Sequence, residues 1–81
     1  MIVYVTEARY LDHYCLWLAF DNGESGEIDL EAELWGTVFA PLKDKNLFSK
    51  VSVVPEMGTI TWPNGADLAP EFLLKKILKV S

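Results

Sequence analysis

His13 and Cys15 are two residues apart, so on a strand their side chains point to one side. They are the only soft ligands in the neighbourhood, and zinc needs three or four. Asp12 would project from the opposite face. A Cys–His nucleophilic pair needs an orienting third group and an oxyanion site, and neither is evident beside them. Glu24, Glu27, Asp29, Glu31 and Glu33 could hold a hard cation, but their spacing lacks the loop glycine and terminal glutamate of a calcium hand. An edge strand and a helix start account for them as solvated carboxylates. No Gly-rich phosphate loop and no Gly-x-Ser-x-Gly elbow occurs. No catalytic residue, metal site or cofactor site is therefore assigned.

The stretch TWPNGADLAPEFLLKK, Thr61 to Lys76, offers a different kind of site. Trp62 could stack on a ligand while Asn64 and Asp67 supply hydrogen bonds. The same residues also have backbone work to do. Trp62 closes a strand, Pro63 fixes φ, Gly65 permits a left-handed turn, and Asp67 can cap the helix that follows. The expectation is that this corner is mainly architecture, with Asp67 as the cap.

Apolar excess points elsewhere. Trp17, Trp35, Phe39 and Phe72 are hard to bury together in so short a chain. Phe72 lies in the middle of the arc of Lys75, Lys76 and Lys79. It either folds back under Trp62 or marks an exposed interface patch. Trp17 lies at the centre of a strand that is apolar on both faces. Trp17, Phe72, Lys75, Lys76 and Lys79 are accordingly the candidate interaction residues, and Trp62, Asn64 and Asp67 the candidate ligand corner.

The elements that must position these residues follow from periodicity. Ile2 to Tyr10 alternates, with Val3 and Val5 on one face and Ile2 and Tyr4 on the other. Tyr14 to Phe20 is the strongest strand. Tyr14, Leu16, Leu18 and Phe20 form one face, and Cys15, Trp17 and Ala19 the other. Asp21–Gly23 supplies a tight hairpin turn into a short polar edge strand, Ser25 to Asp29. DLEAELWG reads as one helical turn, begun by Asp29 and stopped by Gly36. APLKDKNLFSKV reads as a second helical piece in which Asp44 caps a turn holding Leu47 and Phe48. KVSVV and GTITW are strands joined by PEMG, with Ile60 and Trp62 on one face. The final helix is expected from about Leu68 to Leu78, with Leu73, Leu74, Ile77, Leu78 and Val80 as its apolar arc. The fold class is α+β: a small antiparallel sheet in the order βββ, short helices, ββ, α, with the C-terminal helix on one face.

At 81 residues the chain is a single domain, residues 1–81, near the lower limit for folding without disulfides or metal. One cysteine allows no intrachain disulfide, which suits a reducing cytosol. No segment has membrane-spanning length, and the N-terminus lacks the basic and apolar regions of a signal peptide. The expectation is a cytoplasmic protein that does not engage a membrane. Residues 1–40 carry eight carboxylates against Arg9, a net −7, whereas residues 41–81 carry six lysines against four carboxylates, a net +2. The acidic half repels phosphates and argues against direct nucleic-acid binding. It suits a basic protein partner.

LWLAFDNGE, FAPLKDKNLFSKVSVV and GTITWPNGADLAPEFL together resemble the prokaryotic family called domain of unknown function 2442 (DUF2442). The family's Phe-x-x-Gly turn falls on Phe20 and Gly23. Its Leu-x-Asp segment and following Phe fall on Leu42, Asp44 and Phe48, and its long corner on Gly58 to Glu71. The resemblance implies a compact α+β domain and supplies no established activity. Some members are similar to this domain joined to a helix-turn-helix module, for which no second domain remains here. Genes of the family are often paired with those of another small family, as in toxin–antitoxin loci, which implies a protein partner.

Two functions from different classes follow. The first is a non-enzymatic interaction module that binds a protein partner, or a second copy of itself as a homodimer, through the Trp17 face and the C-terminal helix. The second is a small-molecule-binding or catalytic domain using Trp62, Asn64 and Asp67.

Overall fold

Cys15–Phe20 is the centre of the fold: Leu16, Leu18 and Phe20 are buried on one face, and a strand so covered needs neighbours on both edges as partners for its backbone N–H and C=O groups. A computed structural model describes residues 3–78, and it supplies those neighbours. β1 (Val5–Tyr10), β2 (Cys15–Phe20) and β3 (Ser25–Asp29) form an antiparallel meander in the order β1-β2-β3. The register pairs Arg9 and Glu27 with Trp17, and Tyr10 and Ile28 with Leu16. A bulge between Val5 and Glu7 resets the pairing, and the Thr6 hydroxyl donates to the Ala19 carbonyl there. Gly23, at φ 89°, makes the turn into β3. The hairpin and edge strand thus lie where the alternation and the Asp-Asn-Gly turn put them.

The remaining strands form a second sheet rather than extending the first. β4 (Ser52–Val54), β5 (Thr59–Thr61) and β6 (Asp67–Leu68) pair antiparallel in the order β4-β5-β6. A hydrogen bond from the Val5 amide to the Gly58 carbonyl, 2.8 Å, fastens the second sheet to the start of β1. Tyr4 and Asp21 exchange two bonds at the same corner, through the Tyr4 amide to Asp21 Oδ1 (3.0 Å) and the Asp21 amide to the Tyr4 carbonyl (2.9 Å).

Between the sheets the chain runs through short helical pieces. A 3-10 turn spans Glu31–Glu33, α1 spans Gly36–Phe39, a second 3-10 turn spans Ala40–Lys43, and α2 spans Lys45–Phe48. Asp44 caps α2 as expected, its Oδ1 accepting the Asn46 amide at 3.0 Å. Asp29 Oδ1 accepts the Glu31 amide at 2.9 Å. Gly36, at φ 85°, opens α1 rather than stopping the preceding turn. Leu30, Leu34, Leu42 and Phe48 are buried in one cluster with Leu16 and Leu18. This segment therefore covers the core face of the first sheet and leaves the Trp17 face open.

α3 (Pro70–Leu78) starts two residues later than its sequence pattern suggests. Leu73, Leu74 and Ile77 are buried, as the apolar arc requires. Ile2, Lys79, Val80 and the Leu78 side chain lie outside the described residues. The helix lies against β3, where Gly26 faces the core opposite Leu18; a Cβ there would stand 2.9 Å from Ile77 Cγ2. Gly58 is constrained twice. Its φ is 67°, and a Cβ on it would fall within the Tyr4 ring. Gly65 shares the positive φ, at 88°, but has open space around it. Gly65→Ala should therefore cost about 1–2 kcal/mol in chemical denaturation, the penalty for a left-handed L-residue. Gly58→Ala should cost clearly more, and adding Tyr4→Ala should recover the difference.

Candidate functional site

The Trp62–Asp67 corner is built by long-range contacts. Trp62 is 3% exposed, and its indole Nε1 donates to the Phe48 carbonyl at 2.8 Å. Its ring packs against Phe48, whose other sides meet Tyr10 and Tyr14 edge-on. Trp62 cannot stack on a ligand without dismantling this cluster. Asn64 is exposed but engaged on both sides of its amide. Nδ2 donates to the Val38 carbonyl at 2.9 Å, and Oδ1 accepts the Ala66 amide at 3.2 Å. Asp67 differs from expectation. It lies in β6 opposite Thr61, so it precedes the helix by too much to cap it, and among the described residues its carboxylate has no partner. Pro70 itself begins the helix, where the missing N–H has no intrahelical role. The buried Thr59 hydroxyl, donating to the Leu68 carbonyl, closes the strand pair instead.

Beside this corner runs an apolar groove of about 420 Å³. Its walls are the 33–39 segment, with Trp35, Val38 and Phe39, and the β6–α3 segment, with Leu68 and Phe72. Asn64 holds the Val38 backbone and so fixes one wall to the corner. At the other end Lys76 Nζ reaches across to Glu33 Oε2 at 3.1 Å and lies 5.8 Å from the Phe72 ring centroid. Phe72 is half-buried, packed against the core on one side and lining the groove on the other. Lys75 is exposed, Lys76 is committed to Glu33, and Lys79 lies outside the described residues. Trp35 is 71% exposed and Val38 48%.

Trp17 stands away from the groove, half-buried on the open face of the first sheet with the Arg9 guanidinium 5.4 Å from its ring centroid. His13 and Cys15 are not brought together as a ligand pair. His13 occupies the β1–β2 turn at φ 48°, with Nδ1 3.4 Å from Lys45 Nζ, while Cys15 is the first residue of β2. No group of three metal-ligating side chains forms among the described residues.

A family model described as Protein of unknown function (DUF2442) matches residues 5–79. The chain belongs to that family. No curated protein and no solved structure matches it.

The positions that carry the DUF2442 pattern do structural work in this domain. Phe20, Leu42 and Phe48 are core residues, Asp44 is a cap, and Gly23, Gly58 and Gly65 are turns at positive φ. The most exposed tryptophan, Trp35, belongs to none of these positions. Its signal in the sequence was only the surplus of aromatics; it sits in extended backbone between the 3-10 turn and α1.

The Cys15 thiol is pushed up from its usual range, first by burial and then by the carboxylates of Asp29, Asp12, Glu27 and Glu31. Its alkylation by iodoacetamide should therefore rise with pH at a midpoint above that of a cysteine peptide. Glu27→Gln combined with Asp29→Asn should bring that midpoint down. For the corner, Trp62→Phe leaves the Phe48 carbonyl unpaired and should cost about 1–3 kcal/mol. Asp67→Ala should stay within about 0.5 kcal/mol. Melting curves of the two variants test whether the corner is held by Trp62 or by Asp67.

Proposed function

We propose that this domain is a non-enzymatic, cytoplasmic protein-interaction module, antitoxin-like or regulatory in role, and that its partner is a small protein encoded beside it. The exposed Trp35 at the mouth of the apolar groove carries this reading. A small domain with a marginal core gains nothing in folding from an indole left in water, whereas tryptophan is among the residues that dominate interface energies. Phe72, Leu68 and Val38 extend the same patch, and Asn64 and the Glu33–Lys76 pair hold its walls in place before any partner arrives. Such preorganisation lowers the cost of binding. The ligand-corner alternative has less to draw on, because the Trp62 ring and the Asn64 amide are both used within the fold.

The test is co-expression of the tagged domain with the product of the neighbouring gene. Capture of that protein is expected, with Trp35→Ala weakening it about thirtyfold, the loss of about 2 kcal/mol typical of a central aromatic anchor. The Tm of Trp35→Ala should barely change, since the side chain is largely in solvent already. No capture, or capture indifferent to Trp35, would remove the groove from consideration.

A further inference from the structure

On the face of the first sheet turned away from the core, Trp17 stands between two strands that treat it differently. Its neighbour on β1 is Arg9, whose guanidinium lies over the indole and is gripped by Glu7 Oε2 through Nη2 at 2.6 Å and Nε at 2.7 Å. The Arg9 side chain remains 69% exposed, so this stack forms in contact with water. Its neighbour on β3 is Glu27, with Asp29 one step along the same face opposite Cys15. Glu27 and Asp29 have no ion-pair partner among the described residues, and the one hydrogen bond of the Asp29 carboxylate is to the Glu31 amide. A recess lined by Asp29, Glu31 and Ala32 opens at this edge. The Cys15 thiol beside it is raised first by burial and then by the carboxylates of Asp29, Asp12, Glu27 and Glu31.

We propose that this face binds a basic segment of a protein partner, an arginine of which lies over Trp17 and ion-pairs with Glu27 and Asp29. The arrangement repeats, from the β3 side, what Arg9 and Glu7 already make on the β1 side. Arginine fits it better than lysine because its planar guanidinium can stack and pair at once. Nucleic acid is repelled by these carboxylates. A second copy of the chain has one arginine to offer this face, Arg9, and Glu7 already holds it. Only a partner of opposite charge gains from both the ring and the acids. This surface is separate from the Trp35 groove, so either can fail without the other.

The test is an NMR titration of the isotope-labelled domain with a tetra-arginine amide at low ionic strength. The largest shifts should fall on the Trp17 indole and on the β1 and β3 amides beside it, and added salt should reverse them. Trp17→Leu, which keeps an apolar side chain against the sheet, should weaken binding about threefold to tenfold, the worth of a cation over an indole. Glu27→Gln with Asp29→Asn should weaken it further, and the asparagine keeps the oxygen that accepts the Glu31 amide. Tetra-lysine should bind more weakly, and Trp35→Leu should change nothing. Shifts spread evenly over all the acidic residues, equal binding of tetra-lysine, or indifference to Trp17→Leu would each overturn the proposal. So would a dimer in sedimentation that Trp17→Leu dissolves, since that would give the face to a second copy of the chain.

Discussion

The hydrogen bond from the Trp62 indole to the Phe48 carbonyl is the contact on which the other parts of the molecule converge. It joins the end of β5 to the last residue of α2 at the centre of four aromatic rings. Two of those rings, Tyr10 and Tyr14, belong to the β1–β2 hairpin, and the Tyr14 hydroxyl reaches on to the Lys43 carbonyl. First sheet, helical segment and second sheet therefore meet at Phe48. A side-chain N–H buried this deeply must have a partner, so the position of α2 is dictated as much by polar satisfaction as by apolar area. The groove inherits its shape from this junction, because Asn64, two residues beyond Trp62, holds the Val38 backbone that forms one wall.

Much of the first sheet was legible because its information is local. Alternation over Tyr14–Phe20, the Asp21–Gly23 turn and the polar strand after it each act within a few residues. The Asp44 cap was legible for the same reason. Asp67 was misread because two local patterns compete for it. Asp-Leu-Ala-Pro-Glu has the local chemistry of a capped helix start, but the turn through Gly65 folds Asp67 and Leu68 back to pair with Thr61 and Ile60. The division of the strands into two sheets was hidden too, since it depends on a single junction between Val5 and Gly58. At the candidate site, Phe72 and Trp17 were singled out by their setting among lysines and on a two-faced strand. Trp35 was visible only as one aromatic too many.

The two candidate surfaces differ in physical character. The groove is apolar and walled by side chains whose polar neighbours are already paired, so it suits a partner that contributes hydrophobic area. The open sheet face is charged, with one guanidinium stacked on its central ring, and it suits recognition that depends on ionic strength. A domain this small has room for both because its single core lies entirely on one side of the first sheet.

The second sheet has strands of three, three and two residues. Such a sheet cannot stand alone; its order is borrowed from the β1 hook, the Phe48 junction and α3. Fluctuations that release it need break few bonds, whereas opening the first sheet exposes most of the core. Amide protons of β6 should consequently exchange with solvent well before those of β2. Since Leu68 of β6 lines the groove, that stretch of wall owes its position to the Asn64–Val38 and Lys76–Glu33 contacts around it more than to its own two-residue strand.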